Sequence, residues 1–188
     1  MSTRLVNMPI PFTFQFNVLA SGTPEQLTVK KRGATIAFND NGAAADTITD
    51  SANEFITAGF EVGDQIVVSG ASNSGNNSTF EVTAVVAGEI TIAARHSLTT
   101  EAAGATVKIV TNKTVPDGIS VTVYAKFANT GIITLGYSSA TALNTGTGYF
   151  SLRNNSSVSL QINSIGQLWL DAAVSGEGVE VIYEKNIT

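Results

Sequence analysis

Two sets of side chains in this sequence have types suited to chemistry, a lone histidine and a scatter of acidic residues. His96 lies in Ala94-Arg95-His96-Ser97 and is the only histidine of a chain that also lacks cysteine. A Ser/His/Asp relay would have to pass through it, and a zinc site would need it with partners at fixed spacing. Alone at a strand end, it reads as a solvated polar residue. Gly-x-Ser-x-Gly, His-Glu-x-x-His and Gly-Lys-Ser/Thr patterns do not occur. Asp40, Asp46, Asp50 and Asp64 could converge at one end of a small barrel, and calcium takes clustered hard oxygens. Their spacing does not follow an EF-hand loop, and loop carboxylates commonly cap nearby amides instead. Glu177, Glu180 and Glu184 do not form the facing pair of a glycosidase. The sequence therefore predicts no catalytic, cofactor-binding or metal-ligating residue, and no enzyme.

Composition narrows the classes further. Charged residues are 13% of the chain, about half the ~25% usual in soluble domains, and hydrophobic residues reach 43%. Such a chain can bury a core and is not a disordered one. Sparse charge suits a subunit whose surface is covered by neighbours, although Ser, Thr and Asn also solvate a surface. The net charge of -5 opposes a nucleic-acid partner, because phosphate binding needs a clustered basic face. Lys30, Lys31 and Arg32 form the only basic run and read as a solvated strand end. Absence of cysteine excludes disulfides and leaves the redox compartment open. No apolar run approaches the ~18 residues of a membrane-crossing helix, so no membrane partner is expected. The segment after Arg4 loosely mimics a signal peptide. Its Ile10, Phe12, Phe14, Phe16 and Val18, however, alternate with Thr13, Gln15 and Asn17, which is the period of a strand.

The elements that must position these residues are strands. Candidates are Phe12–Leu19, Gln26–Lys31, Thr35–Asn39, Gln65–Ser69, Thr79–Val86, Glu89–Ala93 and Thr106–Thr111. They continue with Ser120–Ala128, Gly131–Tyr137, Ser157–Asn163, Gln167–Ala172 and Val179–Glu184. Only residues 51–58 read as helical: Ser51 and Glu54 have capping-box spacing, and Gly59 stands where a left-handed cap would end the turn. Phe55 and Phe60 flank it as core anchors. Closely spaced strands with Gly, Asn, Asp or Pro between them imply an all-β sandwich or barrel. The basic run and the turn Val115-Pro116-Asp117-Gly118 mark two boundaries. Residues 34–111 thus read as a small β-barrel domain with one short helical turn. It is inserted in a discontinuous jelly-roll-like β-sandwich formed by residues 1–33 and 112–188.

In the host domain, Phe12–Leu19 and Leu27–Lys31 are expected to form an opening hairpin. Val121, Val123, Ala125 and Phe127 should share one inward face, and Val158, Leu160 and Ile162 another. Trp169 should reach the core or a subunit contact. Asn73–Ser78 reads as a polar hairpin tip with sequons at Asn76 and Asn77, and a third sequon lies at Asn112. Ser138–Gly148, flanked by Tyr137, Tyr149 and Phe150, reads as an ordered surface loop or one facing a receptor or neighbour.

The stretch Asp50–Gly70, in which a helical turn feeds the strand Gln65–Val68, resembles a small β-barrel module of tailed-bacteriophage virion proteins, over about Ala34 to Val110. Asn129-Thr130-Gly131-Ile132-Ile133-Thr134-Leu135-Gly136 is followed by Ser157–Ile162, Trp169 and Gly176-Glu177-Gly178-Val179 through Glu184. That order is similar to jelly-roll-like virion proteins of the same phages. The resemblance implies a virion structural protein, a capsid decoration (cement) or head-fibre subunit acting by protein–protein contacts. Its partners would be capsid or tail proteins and further copies of itself, with trimers matching the local three-fold positions of capsids. A tail or baseplate protein and a carbohydrate-binding or adhesin module are the alternatives.

Overall fold

The computed structural model describes residues 10–143 and 150–185 and is all-β. The chain begins with strands β1 (Ile10–Asn17), β2 (Glu25–Gln26), β3 (Val29–Gly33), β4 (Ile36–Asn39) and β5 (Thr47–Asp50). The short helix α1 (Phe55–Ala58) precedes β6 (Gln65–Ser69), β7 (Thr79–Val86), β8 (Glu89–Ile92) and β9 (Val107–Thr111). Next come β10 (Ser120–Ala125), β11 (Ile133–Gly136) and the helix α2 (Ser139–Ala142). The last strands are β12 (Phe150–Leu152), β13 (Ser157–Gln161), β14 (Trp169–Ala172) and β15 (Gly178–Lys185). Two compact units result, one from Met1–Leu27 with Thr114–Thr188 and the other from Thr28–Lys113. The division falls after Leu27, not after Gly33, because β3 pairs along its whole length with β9.

The discontinuous unit contains two four-stranded antiparallel sheets, ordered β1-β15-β10-β13 and β12-β11-β14-β2. Period-two alternation sets their faces. β1 buries Phe12, Phe14 and Phe16 and exposes Thr13, Gln15 and Asn17, while β15 buries Val179, Val181 and Tyr183. Phe12 packs against Tyr183 with ring centroids 5.1 Å apart. On the second sheet Ile133, Leu135, Leu170 and Leu152 are buried. Two sheets with apolar faces of this kind make a sandwich, and the other face of β11 is buried too, where Thr134 bonds the Ala142 carbonyl of α2 (Thr134 is 1% exposed). Trp169 itself is half-buried, between buried Leu168 and Leu170. Val158 and Leu160 are also only half-buried, because β13 is an outer strand, and of that expected face only Ile162 is fully buried.

The expected opening hairpin does not form. β1 pairs with β15, and the stretch read as its partner splits into β2, paired with β14, and β3, paired with β9. The cause lies in the connection. Ser21 N–H donates to the Ser175 hydroxyl (3.0 Å) and Gly22 N–H to Asp171 (3.0 Å), which carries the chain to the second sheet instead of turning it back.

The central unit is one seven-stranded sheet, ordered β3-β9-β6-β7-β8-β5-β4. Its terminal strands β3 and β4 are joined only by Ala34 and Thr35, so their facing ends are three residue steps apart, at most ~11 Å. The sheet must therefore curl until its two edges meet, as a barrel does. A register shift between Val82 and Ala84 bends β7 where the curl needs it. Phe38, Ile48, Ile66, Phe80 and Ile109 fill the interior. Phe55 and Phe60 anchor α1 there, edge to face at 5.8 Å. Strand β5 escapes sequence reading because Thr-Ile-Thr-Asp offers a single strongly apolar residue.

At α1 the C-terminal stop is as expected, with Gly59 left-handed at φ 94. The Ser51/Glu54 capping box is not formed. The Asp50 carboxylate takes the Ala52 (3.1 Å) and Glu54 (3.2 Å) amides, which frees the Glu54 side chain for Lys31. A capping box occurs instead at α2, between Ser138 and Thr141.

Lys31 is no solvated strand end. Alternation along β3 places it on the buried face with Val29, and its side chain is 7% exposed, bonded to Glu54 and to Asp50 (3.1 Å). Lys113, also 7% exposed, holds Asp64 (2.6 Å) and Glu61 (3.3 Å). The segment from Asp50 to Asp64 is thus clamped at both ends by buried lysines. Burial opposes the Lys31 charge, but its bonds to Glu54 and Asp50 outweigh that and raise its pKa. Burial of Asp64 wins over Lys113 and pushes that carboxyl above its ordinary range.

Two outcomes follow from this packing. A Cβ on Gly178 would land on the Phe16 carbonyl and within 2.6 Å of Asn17 Oδ1. Gly178→Ala should therefore cost about 2–4 kcal/mol in urea unfolding, by separating β1 from β15. Lys113→Ala should cost about 3–5 kcal/mol at neutral pH, because it strands buried Asp64. A carboxyl with a raised folded pKa favours the fold when protonated, so the Lys113→Ala penalty should shrink as pH falls through the Asp64 value. A penalty independent of pH between 7 and 4 would show that Asp64 is not the stranded charge.

Candidate interaction surface

Three loops of the discontinuous unit lie together: the β1–β2, β10–β11 and β14–β15 connections. Each carries one exposed apolar side chain, Leu19 (51% exposed), Phe127 (78%) and Val174 (43%). Phe127 was expected on the inward face with Val121, Val123 and Ala125, which are buried. β10 instead ends at Ala125, and the turn closed by Asn129 N–H to Lys126 O (3.0 Å) swings Phe127 off the sheet.

Backbone amides and the side chains of Ser21, Asn129 and Glu177 lock the loops together. Val18 N–H donates to Glu177 O (2.9 Å), and Gly176 N–H donates back to Val18 O (2.8 Å). The Ser21 hydroxyl donates to Ala173 O (3.0 Å). Buried Asn129 bonds Gly178 in both directions, its Nδ2 donating to the carbonyl (2.8 Å) and its Oδ1 accepting the amide (3.2 Å). The Glu177 carboxylate accepts the Thr130 amide and hydroxyl and the Gly131 amide (3.0 Å). Gly131 must be glycine, since a Cβ there would lie 2.9 Å from Ala173 Cβ and 3.1 Å from Val174 Cγ2. The two short motifs Asn129-Thr130-Gly131 and Gly176-Glu177-Gly178 thus interlock. Burial works against the Glu177 charge, but the bonds from Thr130 and Gly131 outweigh it and hold its pKa below the ordinary glutamate range.

The residues singled out for chemistry are kept apart. His96 packs edge-on against Phe80 (5.6 Å), and its Nε2 is buried without a hydrogen-bond partner among the described residues. Asp40 accepts the Gly42 amide (2.8 Å), Asp46 those of Asn41 (2.8 Å) and Leu98 (2.7 Å), Asp50 binds Thr35 (2.6 Å), and Asp64 binds Lys113. Among the described residues no group of three or more acidic or histidine side chains could hold a metal ion. Glu180 bonds Gln15 on the exposed face of its sheet, away from Glu177's amides, and the Glu184 side chain lies outside the described residues.

The polar tip is a folded loop. Glu101 accepts the Ser72 (2.7 Å) and Asn73 (2.9 Å) amides and Asn76 Nδ2 (3.0 Å), which leaves the Asn76 sequon buried. Of the aromatic-flanked loop, Tyr137 is about half exposed, residues 139–142 form α2, and Tyr149 with residues 144–148 lies outside the described residues. Among the described residues no helix is long and apolar enough to cross a membrane. The central unit shows a second set of exposed apolar residues, Ile56, Val62 and Val86.

No protein-family model, no curated protein and no solved structure matches this chain.

A carboxylate with a lowered folded pKa supports the fold above its unfolded value, about 4.3 for glutamate, and that support is lost as pH falls through the folded value. Glu177→Gln should therefore lower stability by about 1–2 kcal/mol at pH 7, discounted for its partial exposure. It should also flatten the loss of stability on acidification. Urea titrations of both proteins from pH 7 to pH 3 check this, and parallel curves would remove Glu177 from the account.

Proposed function

We propose that this chain is a structural subunit of a tailed-phage virion, a capsid decoration or head-fibre protein that works through protein–protein contacts. The observation that carries the reading is the locked loop surface with Leu19, Phe127 and Val174 exposed on it. A fixed backbone that presents apolar side chains meets a partner at little ordering cost, and an aromatic anchor of this kind is a common hot spot. Sparse charge supports the same reading, because a flat contact of ~1,200–2,000 Å² tolerates few unpaired charges. The interlocked Asn-Thr-Gly and Gly-Glu-Gly segments are also those on which the resemblance to phage jelly-roll proteins rests.

Two observations keep other readings in play. Sandwich and curled-sheet units serve equally in a tail or baseplate, and copy number per particle separates them: hundreds point to the head, tens or fewer to the tail. Exposed Phe127 and Tyr137 also suit a carbohydrate-binding or adhesin surface. A glycan array, run with and without a calcium chelator, tests that alternative.

For the leading reading, the purified chain should co-sediment with particles stripped of it. Phe127→Ser should reduce particle occupancy by about 10- to 100-fold while leaving the unfolding midpoint within experimental error, because Phe127 contributes little to the core. A chain that never associates with particles, or that turns over a substrate, would end this reading.

A further inference from the structure

Among the described residues most sheet edges are guarded, and the two that are not are the outer strands of one sheet, β1 and the shorter, five-residue β13. β2 and β12 are two and three residues long, too short to template a partner strand. β3 carries Lys30 and Arg32 on its outward-facing side, and β4 is covered where Phe38 bridges Glu101. β1 is eight residues long, carries no charge from Pro11 to Asn17, and pairs in unbroken register with β15. Among the described residues it has no strand on its other side.

Which groups face outward follows from the ladder. Val18 both donates to and accepts from the β15 side, so even-numbered residues of β1 direct their main-chain groups there. Thr13 and Gln15 therefore aim theirs away from β15. Pro11 has the same parity, so its missing N–H does not interrupt the ladder. The Gln15 amide is drawn over its own sheet by Lys126 (2.9 Å) and does not fold across the edge.

We propose that β1 is the pairing edge for a second copy of this chain, joined antiparallel about a two-fold axis at Phe14. With that centre, Thr13 of one copy lies opposite Gln15 of the other, and each pair exchanges both main-chain hydrogen bonds. Phe12 lies opposite Phe16, so the buried row of rings continues across the axis, and polar residues meet only polar residues. Pro11 falls at the periphery, opposite Asn17, where its missing donor costs least. The basis for naming a second copy at β1 is that the strand has no charge to meet its own image and that its row of three buried rings continues into its twin, which the five-residue β13 does not offer. A two-fold contact also closes after two copies, whereas β1 pairing with the outer strand β13 of another copy would continue into a ring or fibre. The inference goes beyond the virion reading and rests only on the strand edge.

Sedimentation equilibrium of the purified full chain, together with amide exchange at low and high concentration, tests it. The chain should form dimers, and the Thr13 and Gln15 amides should become protected as it is concentrated. Thr13→Pro, which spares the bonds to β15, should weaken dimerisation by about 100-fold, since each copy loses a donor to its twin. Ser159→Pro, at the matching outward position of β13, should leave the dimer unchanged. A monomer at every concentration, a trimer or larger ring, a dimer that survives Thr13→Pro, or loss of the dimer on Ser159→Pro would each overturn the proposal. If Thr13→Pro does not fold, exchange of those two amides in the unaltered chain decides: no protection on concentration means no β1 pairing.

Discussion

Loop order throughout this protein depends on carboxylates that each accept several backbone amides. Glu177 ties the β10–β11 loop, Glu101 the Ser72–Asn76 loop, Asp46 joins Asn41 to Leu98, and Asp50 opens α1. An ionised carboxylate has room for several donors, and a bond to a charged acceptor is about twice as strong as a neutral one. Burial alone would raise the pKa of Asp50, Glu101 and Glu177, yet all three lie below their ordinary values because donated hydrogen bonds win. Asp64 is the exception, with burial prevailing over Lys113.

Much of the architecture was legible because the strands are long and alternate. β6 and β7 fall on the expected residues, as do the buried rows of β1 and β10 up to Ala125. Strand partners were less legible, since pairing is decided by what the connections bond to, and Ser21 and Gly22 reach the far sheet. Lys31 was misread because composition treats lysine as a surface residue, whereas strand parity had already placed it beside Val29 on the inner face. Phe127 failed in the opposite direction: alternation was continued one step past the end of the strand. The Ser51/Glu54 box was outcompeted by Asp50, one residue earlier, which takes the Glu54 amide, while the Ser51 amide donates to the Thr35 carbonyl (3.2 Å).

The candidate surface could not have been found from any single motif. Asn129-Thr130-Gly131 and Gly176-Glu177-Gly178 are about fifty residues apart in sequence, and each is unremarkable alone. Their meaning lies in mutual satisfaction, with a glycine wherever a side chain would push the loops apart. The surface and the bare edge of β1 belong to the same sandwich unit, yet they offer different chemistry. One displays apolar side chains on a rigid frame, and the other displays peptide groups in a row.

The position of β15 between β1 and β10 has a consequence for biosynthesis. Among the described strands β15 is made after both of its neighbours, β1 and β10, so their sheet cannot knit until β15 has emerged. The unit formed by Thr28–Lys113 is under no such delay, because all of its strands are already outside the ribosome. The row Phe12, Phe14 and Phe16 must wait in the meantime for more than a hundred and sixty residues of translation, a long interval of high contact order in which sticky rings depend on chaperones or on speed.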